Sequence, residues 1–243
     1  MPEQKPIVIV KTGEPVPSVL ERRGHFGRLI EETIGEAWSG PYTTYDVRQD
    51  TPPDPRGAAA FVITGSAANV PERADWMLRT EGWLRDVVGA GTPTFGICFG
   101  HQLLAQALGG EVLKNPRGRE MGTVRVELLG TDPLLEGVSV DGSAAFEANS
   151  THVDTVRRLP PGAVALARSR LDDHQVIRFS VSCYGVQFHP EIDAEIMRAY
   201  IASRRDVLAG EGFDVDATLG GVTEAPLARS TLRNFVRHLI RHP

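Results

Sequence analysis

Two short runs, residues 6–11 (PIVIVK) and 58–64 (AAAFVIT), are apolar at nearly every position, and a third, residues 92–97 (TPTFGI), reads as a short strand. A strand apolar throughout, rather than at every second residue, has to be covered on both faces. The segment after each run supplies the cover. In residues 25–38, Phe26, Ile30 and Ile34 fall at helical spacing. After the second run, Asn69 and Pro71 read as a helix start. Trp76, Thr80, Trp83 and Val87 continue that helix on one face until Gly89 and Gly91, and their aromatic stripe reads as core. Residues 99–108 form a helical segment after the third run, and residues 42–47 add another strand. This alternation predicts an α/β fold with a mostly parallel central sheet flanked by helices.

From about Gly122 the texture changes. GTVRVELLG, SAAFEA, AVALARS, HQVIRFS and SCYGVQFH are short strands with close turns, a β-rich second half that joins the same core. Residues 192–243 read as helical with a break at 210–216, and Leu232, Phe235, Val236 and Leu239 lie at helical spacing in the last stretch. The expectation is one domain over 1–243, with a core of about 5–195 and a C-terminal helical extension of about 196–243. No linker, repeat or low-complexity tract interrupts it.

Composition narrows the function classes. The net charge of −5 excludes a whole-protein basic field for nucleic acid. The N-terminal apolar run of four residues is too short for a secretory signal, and no run approaches a membrane span. Two cysteines, Cys98 and Cys183, imply no disulfide scaffold, so a reducing cytoplasm is expected.

The third run ends in GICFGHQLLAQALGG, residues 96–110. A G-x-C-x-G turn between strand and helix is a nucleophile elbow: the turn lifts the side chain out of the sheet, and the glycines admit the neighbouring backbone. The helix that starts near Phe99 aims its free N–H groups at the sulfur, which favours a thiolate and an oxyanion. Alone, the five-residue pattern is weak, and a packed core thiol competes with it. VQFHPE, residues 186–191, strengthens it. Val186 to Phe188 read as a strand, and Pro190 biases His189 toward an extended conformation. In extended chain, residues i and i+2 share a side. Glu191 can then hold one ring nitrogen of His189 while the other takes a proton from Cys98, a Cys-His-Glu triad. A cysteine α/β-hydrolase is disfavoured, because there the acid precedes the histidine in the chain.

These motifs resemble the class I (triad) glutamine amidotransferases, and most of all their free-standing, GMP-synthase-like members. The matching features are Gly65-Ser66 after an apolar strand, GICFGHQ at 96–102, NSTHVDTV at 149–156 and GVQFHPE at 185–191, in the family's order. The resemblance implies a flavodoxin-like fold and hydrolysis of the glutamine side-chain amide through a γ-glutamyl thioester on Cys98. It implies an oxyanion hole from the backbone N–H groups of Gly65 and Phe99. It places Gln102 in the glutamine pocket, and Thr151, His152, Val153 and Asp154 in a loop whose backbone holds the amino and carboxyl ends of glutamine. No cofactor is expected. No synthetase domain and no Walker-type phosphate loop is seen, so ammonia is expected to go to a synthetase on a separate chain or to solvent. Two alternatives stay open: a γ-glutamyl peptidase using the same triad, and a catalytically silent regulatory module, against which the intact triad counts. The segment KTGEPVPSVLERRGHFGRLI, residues 11–30, is read as a second wall of the site.

The remaining residues have plainer readings. Cys183 reads as core packing and His101 as a residue supporting the elbow. His152 and Asp154 read as anchors rather than catalysts. His25, His174, His238 and His242 lack ligand spacing, so no metal is expected. Arg22-Arg23, 117–119 and Arg204-Arg205 read as solvated faces.

Overall fold

The computed structural model describes residues 4–139 and 143–240; His242 lies outside them. Its centre is a nine-stranded sheet in the order β2-β1-β3-β4-β11-β10-β9-β6-β7. The first five are β2 (Tyr42–Asp46), β1 (Ile7–Lys11), β3 (Ala60–Ile63), β4 (Thr94–Ile97) and β11 (Cys183–Val186). They run parallel. β10 (Val176–Ser180), β9 (Val164–Arg168), β6 (Glu120–Leu128) and β7 (Ala145–His152) extend it with antiparallel pairings. The sheet is therefore mixed, and four strands of the β-rich second half, β6, β7, β9 and β10, are its antiparallel wing. β5 (Glu111–Lys114) and β8 (Asp154–Arg158) form a separate antiparallel pair.

Period-two alternation explains the uninterrupted apolar runs. Ile7 and Ile9 of β1 enter one core cluster with Val62, Phe95 and Val186. Val8 and Val10 point the other way, into a cluster with Phe61 and Ile63. On the first face the cover is α2 (Phe26–Ile34) and α8 (Pro226–Leu239), through Ile30, Ile34, Leu232, Phe235 and Val236. On the second it is α3 (Asp75–Gly89) and α4 (Phe99–Ala107), through Met77, Leu84, Val87, Leu103 and Leu104. Each such side chain contributes roughly 1.5–3 kcal/mol when fully buried. The final helix is thus a layer on the central sheet and not an appendage. A third cluster, beyond the carboxyl ends of the parallel strands, gathers α1 (Pro17–Arg23), α5 (Ala194–Ser203), α6 (Arg205–Gly210) and α7 (Val215–Gly220) around Val19, Met197, Ile201 and Leu208.

Several sequence expectations need correction. Asn69 and Pro71 open only a 3-10 turn, Val70–Glu72. Arg73 then takes a left-handed φ of 53°, which breaks the helical path, and α3 begins afresh at Asp75. Trp83 packs edge-on against Phe61 and Tyr45, but Trp76 is half-buried, stacked on Phe99 with Arg48 over its ring. The expected strand through Phe188 stops at Val186, because from Gln187 the chain leaves β11. Thr151 to Asp154 is no loop: Thr151 and His152 end β7, Val153 is the single linking residue, and Asp154 begins β8.

Candidate active site

The elbow is built by close packing. A Cβ on Gly96 would lie 2.6 Å from the carbonyl carbon of Gly100, and one on Gly100 would lie 2.6 Å from the carbonyl oxygen of Ile63. Only hydrogen at both positions lets the start of α4 settle onto β3 and β4. Between them Cys98 adopts φ 50° and ψ −101°, a conformation rare for a side-chain-bearing residue. Such strain costs on the order of 1–3 kcal/mol and persists only where the surroundings enforce it. Here the enforcement includes the Cys98 N–H bonded to the Val186 carbonyl at 2.8 Å.

Three residues beyond the end of β11 the chain meets the elbow again. The His189 N–H donates to the Asn149 carbonyl at 2.8 Å, and His189 Nδ1 lies 2.8 Å from Glu191 Oε1. Both side chains are buried. Burial works against an imidazolium, but the Glu191 carboxylate and the neighbouring Cys98 sulfur outweigh it and push His189 up to about 10. The sulfur receives the Gln187 Nε2 amide at 3.6 Å and faces the Thr151 carbonyl at 3.9 Å. The N–H groups of Gly65 and Phe99 make no hydrogen bond among the described residues. The Gly65 carbonyl, by contrast, is held by the hydroxyls of Thr12 and Thr64 at 3.1 and 3.0 Å.

Cys98, Phe99, Gln102, Thr151, His152, Val153 and Asp154 all line one cleft of about 410 Å³. His189, Glu191 and Gly65 are not among its lining residues, whereas Ser66 is. Gln102 is committed to structure as well: its amide donates to the Asp154 carbonyl and to Gln187 Oε1, both at 3.0 Å. His152 has both ring nitrogens on acceptors, the Asp154 carbonyl at 2.8 Å and Glu120 Oε2 at 3.1 Å. Although burial opposes its charge, Glu120 and Asp172 push His152 up to about 9, so an imidazolium lies under the cleft floor. Glu120 further accepts from Ser169 and Gln175.

The 11–30 segment does form a wall, but behind the histidine. Phe26 stacks on the His189 ring, with centroids 6.3 Å apart and planes 16° apart. Arg23 bonds Asp193 at 3.0 Å, and Asp193 caps α5 through the Ile196 N–H. Arg23 is therefore paired with carboxylates and only partly solvated. The same correction applies to Arg119, bidentate on Glu211 at 2.7 and 2.9 Å, and to Arg204, which lines the cleft. Cys183 is fully buried, and burial pushes its thiol up. His101 is buried beneath α4, pushed down to about 3 by burial. Glu120, Ser169, Gln175 and Gln187 are not legible as partners in the sequence, because nothing in their local spacing links them; only Gln187 lies within a motif, GVQFHPE.

The model of the family described as glutamine amidotransferase class-I matches residues 55–205. The chain belongs to the class I glutamine amidotransferase family. Among its relatives, the glutamine-hydrolysing GMP synthase of Aeropyrum pernix is 34% identical over 178 residues, covering 72% of this chain and 32% of that one. A glutamine-hydrolysing GMP synthase subunit from Ignicoccus hospitalis is 33% identical over 174 residues, covering 70% of this chain and 85% of that one. The chain thus spans about a third of the first relative's length and most of the second's. A solved glutamine amidotransferase structure from Methylobacillus flagellatus superposes with a TM-score of 0.70 at 26% identity, covering 98% of this chain and 93% of that one. The α/β architecture agrees with that family: helices flank a central sheet that is parallel over five strands and antiparallel beyond them. No helix among the described residues is long and apolar enough to cross a membrane.

Proposed function

We propose that this amidotransferase hydrolyses the side-chain amide of glutamine in the 410 Å³ cleft, with Cys98 as nucleophile, His189 as acid and base, and Glu191 as the orienting carboxylate. The observation that carries the reading is the buried His189–Glu191 pair at 2.8 Å beside a thiol held at φ 50°. With Nδ1 on Glu191, Nε2 is the nitrogen left for the sulfur. The thiolate attacks the γ-carbonyl carbon. Negative charge gathers on the carbonyl oxygen, toward the free N–H groups of Gly65 and Phe99. The C–N bond then breaks as the imidazolium passes its proton to the leaving nitrogen, which departs as ammonia. The γ-glutamyl thioester remains. Water gives a proton to His189 and adds to the thioester, and glutamate leaves as the sulfur recovers its charge. Glu191 keeps the ring in one tautomer throughout.

Gln102 and the backbone of Thr151, His152, Val153 and Asp154 are the proposed contacts of the glutamyl group. What supports them is their common position on the cleft wall and the fixed β7–β8 junction. The proposed destination of the ammonia is a synthetase on a separate chain, a reading supported by the relative named as a subunit. The test is ammonia release from glutamine by wild type and Cys98→Ser, with a glutamine-derived diazo ketone to trap the nucleophile. Turnover should vanish in the variant, and the adduct should map to Cys98. Turnover retained by Cys98→Ser, or an adduct on Cys183, overturns the assignment.

A further inference from the structure

One arginine in the cleft makes no ion pair with a carboxylate among the described residues. Arg204 sits at the junction of α5 and α6, where the chain is non-helical at φ −117° and ψ 17°. Its guanidinium lines the cleft with Cys98 and Gln102, and Nη1 is buried with no hydrogen-bond partner among the described residues. The group rests over the Tyr200 ring, 4.9 Å from its centroid, a contact that fixes its plane without satisfying its N–H groups. The neighbouring charges are spoken for. Arg119, on the same cleft wall, is bidentate on Glu211. Arg205 turns outward to Asp216 at 2.9 Å. His152 is held by Glu120. Burial weighs most against the charge on Arg204 and Arg119 adds to that, while Tyr200 and the Cys98 sulfur favour it without bonding its N–H groups.

A guanidinium cannot shed its proton to escape this position. A buried N–H without an acceptor costs more than a formed hydrogen bond returns. The arrangement is completed by a ligand oxygen carrying negative charge, and the planar fork suits a carboxylate. We propose that Arg204 is the anion-binding group of the cleft and takes a carboxylate of the substrate. This rests on the cleft being the site of amide hydrolysis. Two substrate carboxylates have this chemistry: the α-carboxylate of the glutamyl group, and a carboxylate carried by the leaving group of a γ-glutamyl peptide. The cleft, about 410 Å³, lies within the ~300–1,000 Å³ of sites for drug-sized ligands, so it has room for either.

The test compares wild type, Arg204→Gln and Arg204→Lys on four substrates: L-glutamine, its α-(N-methylamide), γ-glutamylglycine and γ-glutamylglycinamide. Arg204→Gln should raise KM on the order of 10- to 100-fold for substrates with the recognised carboxylate, with kcat within a few-fold. Arg204→Lys should recover part of the loss. A penalty on every substrate except the α-(N-methylamide) supports the proposal and identifies the α-carboxylate. A penalty on γ-glutamylglycine alone supports it and identifies the leaving-group carboxylate. No penalty on any substrate, or an equal penalty on all four, overturns it. Thermal melts establish that each variant is folded. If wild type hydrolysed none of the four, the proposed function would fail while this assignment stayed testable by calorimetry. Arg204→Gln should then bind L-glutamate or γ-glutamylglycine at least about 10-fold more weakly than wild type, and unchanged affinity for both would overturn the inference.

Discussion

Gly65→Ala disturbs the proposed triad without replacing any member of it. The added methyl carbon would lie 2.9 Å from His189 Cε1 and 3.6 Å from Phe26 Cζ. Carbon atoms settle at about 3.5–4.0 Å, so the imidazole or the Gly65 backbone has to give way by at least ~0.6 Å. Neither is free to do so. The ring is held by Glu191 at 2.8 Å and backed by Phe26, and the His189 N–H is tied to Asn149. The Gly65 carbonyl is tied to Thr12 and Thr64. Overpacking of a site that cannot relax costs about 1–3 kcal/mol of stability. A displacement approaching 1 Å in a reacting group costs on the order of 10²-fold in rate. We therefore expect Gly65→Ala to lower kcat for glutamine by about 10- to 100-fold, more than it changes KM. Urea unfolding should show a loss of about 1–3 kcal/mol. The rate of Cys98 alkylation against pH should also shift, since the sulfur and imidazole no longer meet as before. A folded variant with kcat within three-fold of wild type and an unmoved alkylation profile would refute the reasoning.

Glu191→Gln should lower kcat by about 10²–10⁴ with little change in KM, measured by ammonia release, because the carboxylate acts on the far side of the histidine. The same variant has a pH signature. His189 rises from 6.5 to about 10 on folding, so its contribution to wild-type stability is complete below pH 6.5 and is lost as pH rises toward 10; denaturation across that window should show a smaller decline in Glu191→Gln. Glu120→Gln leaves the buried His152 cation with only the more distant Asp172 carboxylate, at 3.9 Å, and should cost up to about 3–5 kcal/mol in urea unfolding; a loss below ~1 kcal/mol would mean that the pair contributes little. Cys183→Ser should keep most of the turnover measured with wild type, since that thiol lies in an apolar cluster under the sheet.

What the sequence determined on its own is what depends on short separations along the chain. The short runs that became β1, β3 and β4, the glycine spacing of the elbow, and the His-Pro-Glu ending all report φ/ψ limits or i, i+2 geometry, and residue types alone constrain these. The expected pairing of His189 with Glu191 is of this kind, and the structure has it at 2.8 Å. Tertiary structure decided the rest, because a contact between distant residues leaves no periodicity to read. Phe26 behind His189, the Gln102–Gln187 link to the sulfur, and the Glu120 network under His152 each join segments far apart in the chain. The antiparallel wing of the sheet depends on which strands pair, and short β-rich runs do not encode that. Arg204 shows the limit most plainly. Two adjacent arginines read as one solvated face, yet the break between α5 and α6 turns Arg205 to solvent and Asp216, and Arg204 into the cleft beside Cys98.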